Sequence, residues 1–215
     1  SLSGVAVEAL NRGGKLAGCL QNTGEGGLSP YHVQGGDLVF QIGTGYFGCR
    51  DRGGRFSMAA LKDLVARHPS VKAIEIKLSQ GAKPGVGGVL PRTKISPEIA
   101  AIRGISMDRD CISPAAHSAF RDADSLLDFA EEIALETGLP VGIKSAVGEM
   151  HFWRELTRVI STTGRAIDFV AIGEYDYIVR DLAVALRDGP TDAELGKVAA
   201  LGFRDADGTA VRGPV

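Results

Sequence analysis

Short apolar runs alternate with longer segments of helical periodicity, and this alternation limits the possible folds more than any other feature of the chain. Strand-like runs lie near 18–22, 38–42, 73–77, 141–144 and 168–172. Helices are predicted between them, at 3–12, 57–67, 96 onward, 124–136 and 149–161. Because successive parallel strands need a crossover, usually a helix, the alternation predicts an α/β fold with a parallel sheet.

Local signals predict the limits of the first and longest helices. In the first, Ser3 is the expected N-cap, Val5 and Leu10 are expected on the buried face, and Gly13-Gly14 is the expected stop. A strand is then expected from residue 16 onward. The segment 124–136 has the strongest apolar face, and Gly138 is its expected end.

Four successive strands end in polar or glycine-rich sequence. These ends are NTGEGG at 22–27, QIGTG at 41–45, the segment 77–85 and Lys144. In a parallel barrel the carboxyl ends of the strands meet on one face, where active sites are built. The pattern therefore predicts a site at that face.

The segment 74–91, IEIKLSQGAKPGVGGVLP, is the most distinctive of these ends. Lys77 closes a strand, and Lys83 lies in a loop with four glycines and two prolines, which the interior of a helix or strand would not tolerate. Glycines let a backbone approach a ligand closely, and the lysines supply positive charge. The alternative is a flexible surface loop whose lysines are merely solvated.

Composition narrows the class of protein. The 215 residues are 44% hydrophobic with a net charge of −2, which fits one globular domain and gives no electrostatic reason to expect nucleic acid or a membrane as partner. No apolar run reaches membrane-spanning length, and no signal peptide is visible. Three widely separated cysteines fit reduced thiols, and we expect a cytoplasmic protein without a metal site.

Four motifs resemble the FMN-binding domain of glutamate synthase, in particular its stand-alone type. They are NTGEGG, QIGTGYFG, EIKLSQGAKPGVGGVLP and CISPAAHSAF, and the resemblance covers residues 1–173. It implies a TIM (β/α)8-barrel type of α/β fold. About five parallel strands can be identified, so the barrel is expected to be incomplete, followed by a tail at 174–215 that resembles no part of the family. The tail is predicted to form helices at 179–187 and 191–201.

The resemblance also implies an activity. Family members reduce 2-iminoglutarate, formed from 2-oxoglutarate and ammonia, to glutamate by hydride transfer from FMN. By this resemblance Lys77 and Lys83 contact the oxo acid, and Glu25 orients the imine or relays a proton.

The flavin contacts are likewise implied by the resemblance. They fall on Ser1, Ser3, Gln41 and Lys144, where a lysine at the N1–O2 edge of the flavin would stabilise the reduced ring. His32 and His117 are interpreted as structural residues.

The chain departs from the family pattern at three places. Val89 stands where the family has a glutamine, a change that the stand-alone relatives share. The phosphate-binding GGTGA turn is replaced by Gly173-Glu174-Tyr175-Asp176-Tyr177. The cysteine cluster that holds the family's iron–sulfur centre is missing, so no such centre is expected here.

These departures leave three hypotheses open. The chain is an FMN-dependent oxidoreductase of glutamate synthase type, or a truncated barrel that binds no flavin, or a Schiff-base enzyme that uses Lys77 or Lys144. An incomplete sheet exposes an edge, which we expect the tail, a second copy or a partner chain to cover.

Overall fold

The computed structural model describes residues 2–78, 87–145, 150–171, 201–204 and 210–212, with the backbone alone described from 169 onward. The helices and strands follow in the order α1 (Gly4–Ala17), β1 (Gln21–Asn22), β2 (Leu38–Ile42), α2 (Met58–Arg67), β3 (Val71–Lys77), β4 (Gly88–Leu90), α3 (Pro97–Arg103), β5 (Cys111–Ser113), α4 (Ala123–Thr137), β6 (Val141–Lys144), α5 (Met150–Thr163), β7 (Phe169–Ala171), β8 (Leu201–Arg204) and β9 (Ala210–Arg212). Short 3-10 turns occupy Pro30–His32 and Arg92–Lys94.

One sheet organises the described chain, with the strand order β1-β2-β3-β6-β7-β8-β9. The first five strands in this order are all parallel, as the alternation predicts. Strands β4 and β5 form a separate antiparallel pair. The fold class is therefore α/β with a five-stranded parallel sheet. Closure into a barrel does not occur within the described strands.

The two faces of the parallel sheet differ in chemistry. One face carries large aliphatic and aromatic side chains, and helices α2, α4 and α5 pack against it in a single buried core. The members of this core with no more than 1% exposure on strands β2 and β3 are Leu38, Phe40, Ile42, Ile74 and Ile76. The opposite face carries the intervening residues, and Gln41 and Glu75 on it are also buried. The face opposite these helices therefore combines the polar Gln41 and Glu75 with the apolar Val39 and Ala73.

Helix α1 differs from its prediction. It passes through Gly13-Gly14 and ends at Gly18, which adopts a left-handed conformation with φ of +66°. Gly14 lies where an added β-carbon would be 3.1 Å from the carbonyl oxygen of Cys19, so close packing accounts for a glycine within this helix. The expected buried face was also wrong, because Val5 and Leu10 are 80% and 53% exposed.

The later helices agree better with prediction. Helix α2 begins after Ser57, whose hydroxyl accepts a hydrogen bond from the N–H of Ala60, and α3 begins after Ser96 in the same way. Helix α4 is capped by Asp122, two residues before the predicted start at 124, and it stops at Gly138 as expected. None of the described helices combines the length and the apolar content needed to cross a bilayer.

The tail is described only at its carboxyl-terminal side, beyond all but one residue of its two predicted helices. Its described parts are the strands β8 and β9, and residue 201, expected to end a helix, begins β8. The rest of the two predicted tail helices lies outside the described residues. Strand β8 pairs antiparallel with β7, so the tail covers this edge of the parallel sheet, as expected.

Candidate active site

Five polar side chains lie together on the face of the sheet opposite helices α2, α4 and α5. The strand register places Gln41 beside Glu75 and Lys77 beside Lys144. Asn22 pairs in register with Val39, two residues before Gln41, and so lies on the same face. The carboxyl ends of four strands thus bring these residues together, as predicted for all of them except Glu75.

The first contact in this group is an ion pair between Lys77 and Glu25. The Lys77 ammonium lies 3.1 Å from Oε1 of Glu25, and both side chains are partly buried. Glu25 belongs to the turn after β1, where Gly24 has a φ of +68°. Gly43 makes room for the carboxylate, because a β-carbon added there would lie 2.8 Å from Oε2 of Glu25. The glycines of two loops therefore let Glu25 reach the end of β3.

The second contact is a network around Glu75. This carboxylate is 2% exposed. It accepts a hydrogen bond of 2.9 Å from the amide of Asn22, and the Lys144 ammonium lies 3.7 Å away. Lys144 also donates to Oε1 of Gln41 at 3.1 Å, while its own side chain is 40% exposed. Two buried acceptors therefore hold the ammonium of Lys144, whose side chain remains partly exposed.

A sequence model described as a conserved region in glutamate synthase matches residues 1–173. This match covers most of the chain. The chain belongs to the glutamate synthase family.

Curated members of the glutamate synthase family show the extent of the likeness. The chain is 41% identical over 174 residues to a glutamate synthase large subunit-like protein, YerD, of Bacillus subtilis. The matched region covers 80% of this chain and 33% of that protein. It is 35% identical over 149 residues to an archaeal-type glutamate synthase [NADPH] of Thermotoga sp., covering 68% and 27%. For the archaeal glutamate synthase [NADPH] of Methanocaldococcus jannaschii, the identity is 37% over 118 residues, covering 54% and 20%. The chain therefore spans about a third or less of the length of these relatives.

Four of the seven site residues predicted for this family member lie in the two contacts above: Glu25, Gln41, Lys77 and Lys144. Ser3 caps α1 as expected, because its hydroxyl accepts a hydrogen bond from the N–H of Ala6, and its assignment as a flavin contact is a prediction. Ser1 and Lys83 lie outside the described residues. Their assignment remains a prediction.

Two charged residues at or near the site, Glu75 and Arg103, were not predicted from the sequence. Glu75 sits in an apolar run, and its period-two relation to Lys77 is the signal that would have found it. Arg103 has no comparable signal. It ends α3, its guanidinium lies 4.9 Å from the ring centroid of Phe47, and it passes close to Gly26 of the NTGEGG turn.

Val89, which departs from the family pattern, lies on β4 opposite Ile112 of β5, and its side chain is 63% exposed. The three cysteines are free thiols. Within the described ranges, no group of three or more His, Cys, Asp and Glu side chains is arranged to hold a metal ion.

Proposed function

We propose that this chain forms the FMN- and oxo-acid-binding face of a glutamate-synthase-type oxidoreductase, which reduces 2-iminoglutarate, formed from 2-oxoglutarate and ammonia, to glutamate. The observation that carries the proposal is the pair of neighbouring lysines at the ends of β3 and β6. Each is oriented by a carboxylate, Lys77 by Glu25 at 3.1 Å and Lys144 by Glu75 at 3.7 Å.

Lys77 binds a carboxylate of the oxo acid. An ammonium has three N–H donors, so Lys77 can keep its contact with Glu25 and still donate to a substrate. The amine is partly buried, where a charge-assisted hydrogen bond is stronger than in water. Lys83 is assigned to the second carboxylate by the family motif alone.

Glu25 acts at the imine. Its carboxylate is partly exposed and is held beside Lys77, at the place where the substrate carboxylate binds. A carboxylate there accepts a hydrogen bond from an imine N–H and can exchange a proton with it. Lys77 thus binds a carboxylate of the substrate, and Glu25 contacts the imine nitrogen beside it.

The ammonium of Lys144 and the amide of Gln41 fit the polar edge of a flavin ring. The partly exposed side chain of Lys144, held by Glu75 and Gln41, supplies positive charge at the carboxyl end of β6. When bound in reduced form, FMN supplies the hydride that reduction of an imine needs. Lys144 and Gln41 orient the ring, and the charge of Lys144 favours its anionic reduced form.

Flavin titration tests the proposal. We expect the purified chain to bind FMN, seen as a change in absorbance at about 450 nm, where flavins absorb. Lys144→Met should weaken that binding, because it removes the ammonium and keeps most of the side-chain volume. Lys72→Met is the matched control, since Lys72 lies on β3 at the opposite end of the sheet and is exposed. Equal FMN affinity in Lys144→Met and the parent would refute the assignment of Lys144 as a flavin contact.

The two other hypotheses give different results. A chain that retains no flavin absorbance after incubation with FMN and removal of the unbound flavin fits the flavin-free barrel. Covalent trapping by borohydride with a carbonyl substrate, lost in Lys77→Met or Lys144→Met, fits the Schiff-base enzyme. Each result excludes the proposed reaction for this chain.

A further inference from the structure

The peptide group between Lys77 and Leu78 is held at both of its polar atoms. Its carbonyl oxygen lies 2.8 Å from Nε2 of His117. Its N–H donates to the carbonyl oxygen of Lys144 at 2.8 Å. A peptide plane bonded on both sides cannot rotate without breaking one of the two bonds. The backbone at the end of β3 is therefore fixed where the side chain of Lys77 leaves it.

Tyr46 determines which nitrogen of His117 carries the proton. Its hydroxyl oxygen accepts hydrogen bonds from the backbone N–H groups of Ser118 at 3.0 Å and Ala119 at 3.1 Å. It also lies 3.1 Å from Nδ1 of His117. With two donors on the oxygen, the hydroxyl proton is directed to Nδ1, which accepts it. Nε2 then carries a hydrogen and donates to the carbonyl oxygen of Lys77.

The surroundings of His117 preserve this neutral form. The ring is buried and stacks on Phe120, with 4.6 Å between centroids. Burial lowers the pKa of His117 below its ordinary value, against smaller opposing effects from the Lys77 carbonyl and the charge of Glu25. A ring kept neutral keeps Nδ1 as an acceptor for Tyr46.

The backbone of Tyr46 is itself in a costly conformation. Its φ is +50°, and among the described residues it is the single non-glycine with positive φ. Such a conformation is maintained only where the surrounding contacts over-determine it. The buried ring and the three contacts of the hydroxyl supply that determination.

From this geometry we infer that His117, itself held by Tyr46, is a positioning residue for Lys77. It fixes the peptide between Lys77 and Leu78 and thereby aims the ammonium of Lys77 at Glu25. The consequence for substrate binding rests on the proposed function, whereas the consequence for the backbone does not.

Two variants of His117 separate positioning from general stability. In His117→Gln the amide nitrogen can take the place of Nε2 and still donate to the Lys77 carbonyl. In His117→Asn the shorter amide takes the place of Nδ1, so it retains the contact with Tyr46 and loses the one with Lys77. Both lose the ring that stacks on Phe120, so a stability effect of the ring is common to the two.

Amide hydrogen exchange in the full 215-residue chain is the first measurement, and it needs neither flavin nor substrate. We expect the N–H of Leu78 to exchange about tenfold faster in His117→Asn than in His117→Gln, for the loss of one buried hydrogen bond. The N–H of Ile74, which donates to the carbonyl of Pro140 between the same two strands, is the internal reference and should change equally in both variants. Melting temperatures establish that each variant is folded, and Tyr46→Phe, which keeps the aromatic ring, gives a second perturbation of the same contact.

The second measurement is the dissociation constant of 2-oxoglutarate with the FMN-loaded chain. We expect it to rise about tenfold in His117→Asn and to be restored in His117→Gln. Equal acceleration of Leu78 and Ile74 in every variant would overturn the inference, as would equal weakening of 2-oxoglutarate in both variants. If the parent fails to bind 2-oxoglutarate, the proposed function fails. A selective effect on Leu78 would then still support the positioning of the peptide.

Discussion

Gly43→Ala should push the carboxylate of Glu25 away from Lys77. A β-carbon added at Gly43 would lie 2.7 Å from Cβ of Glu25 and 2.8 Å from its Oε2. Carbon atoms in contact normally stay about 3.5–4.0 Å apart, so a shift approaching ~1 Å is needed. Because Cβ of Glu25 is attached directly to the backbone, rotation of the side chain cannot relieve the clash, and the turn itself must move.

The expected cost is about 1–3 kcal/mol of unfolding free energy, typical of overpacking in a filled interior. Gly43 does not have a positive φ, so an alanine backbone is not itself strained there. Urea unfolding of the parent and the variant measures the difference. We also expect the dissociation constant of 2-oxoglutarate to rise, since the ion pair that orients Lys77 is disturbed.

Gly13→Ala is the matched control for this substitution. Gly13 lies within α1, and an added β-carbon there meets no atom within 4 Å. Alanine should therefore stabilise the helix by about 0.5–1 kcal/mol. Unchanged or increased stability in Gly43→Ala, with Gly13→Ala behaving as expected, would refute the steric argument.

Burial and strand pairing support three further predictions. Burial raises the pKa of the Cys49 thiol to about 12. Iodoacetamide at about pH 8 should therefore modify the partly exposed Cys19 and leave Cys49 unreacted in the folded chain. Fast labelling of Cys49 would contradict its buried position. Burial lowers the pKa of His32 below 6.5, so the unfolded chain binds its proton more readily. The unfolding free energy should therefore fall as pH drops below about 6.5, and this fall should be smaller in His32→Asn than in the parent; an identical pH profile would count against it. Removal of residues 201–215 uncovers the edge of β7. Size-exclusion chromatography should then show association or aggregation of the truncated chain. A truncated monomer as soluble as the parent would argue against an edge-covering role for β8.

The strand ends were the part of the site most accessible to prediction. Lys77 and Lys144 each close a short apolar run, and parallel strands place such ends at one edge of a sheet. Their alignment needed no long-range information beyond the order of strands and helices. The partner of each lysine was another matter. Glu25 and Glu75 were brought to them by loop packing and by strand register, and Glu75 was not singled out in advance.

Helix α1 illustrates the opposite case. Gly13-Gly14 is an ordinary local stop signal, and yet the helix continues to Ala17. The reason is tertiary, since Gly14 packs against the backbone of Cys19 and the preceding turn holds the buried Asn11, whose side-chain oxygen accepts from the N–H groups of Gln34 and Gly36. A helix propensity difference of about 1 kcal/mol per glycine is smaller than such packing can supply.

By itself, the sequence determined the parallel α/β class, the family, and the lysines and glycines at the strand ends, because these depend on residue type and short-range periodicity. The tertiary structure decided what those residues touch. It placed His117 on the carbonyl of Lys77, although the two are separated by 40 residues. It also paired strand β8 of the tail with β7, whereas the sequence left open whether the tail, a second copy or a partner chain covers that edge. Contacts of this kind depend on which segments the fold brings within hydrogen-bonding distance, and local sequence carries no record of that distance.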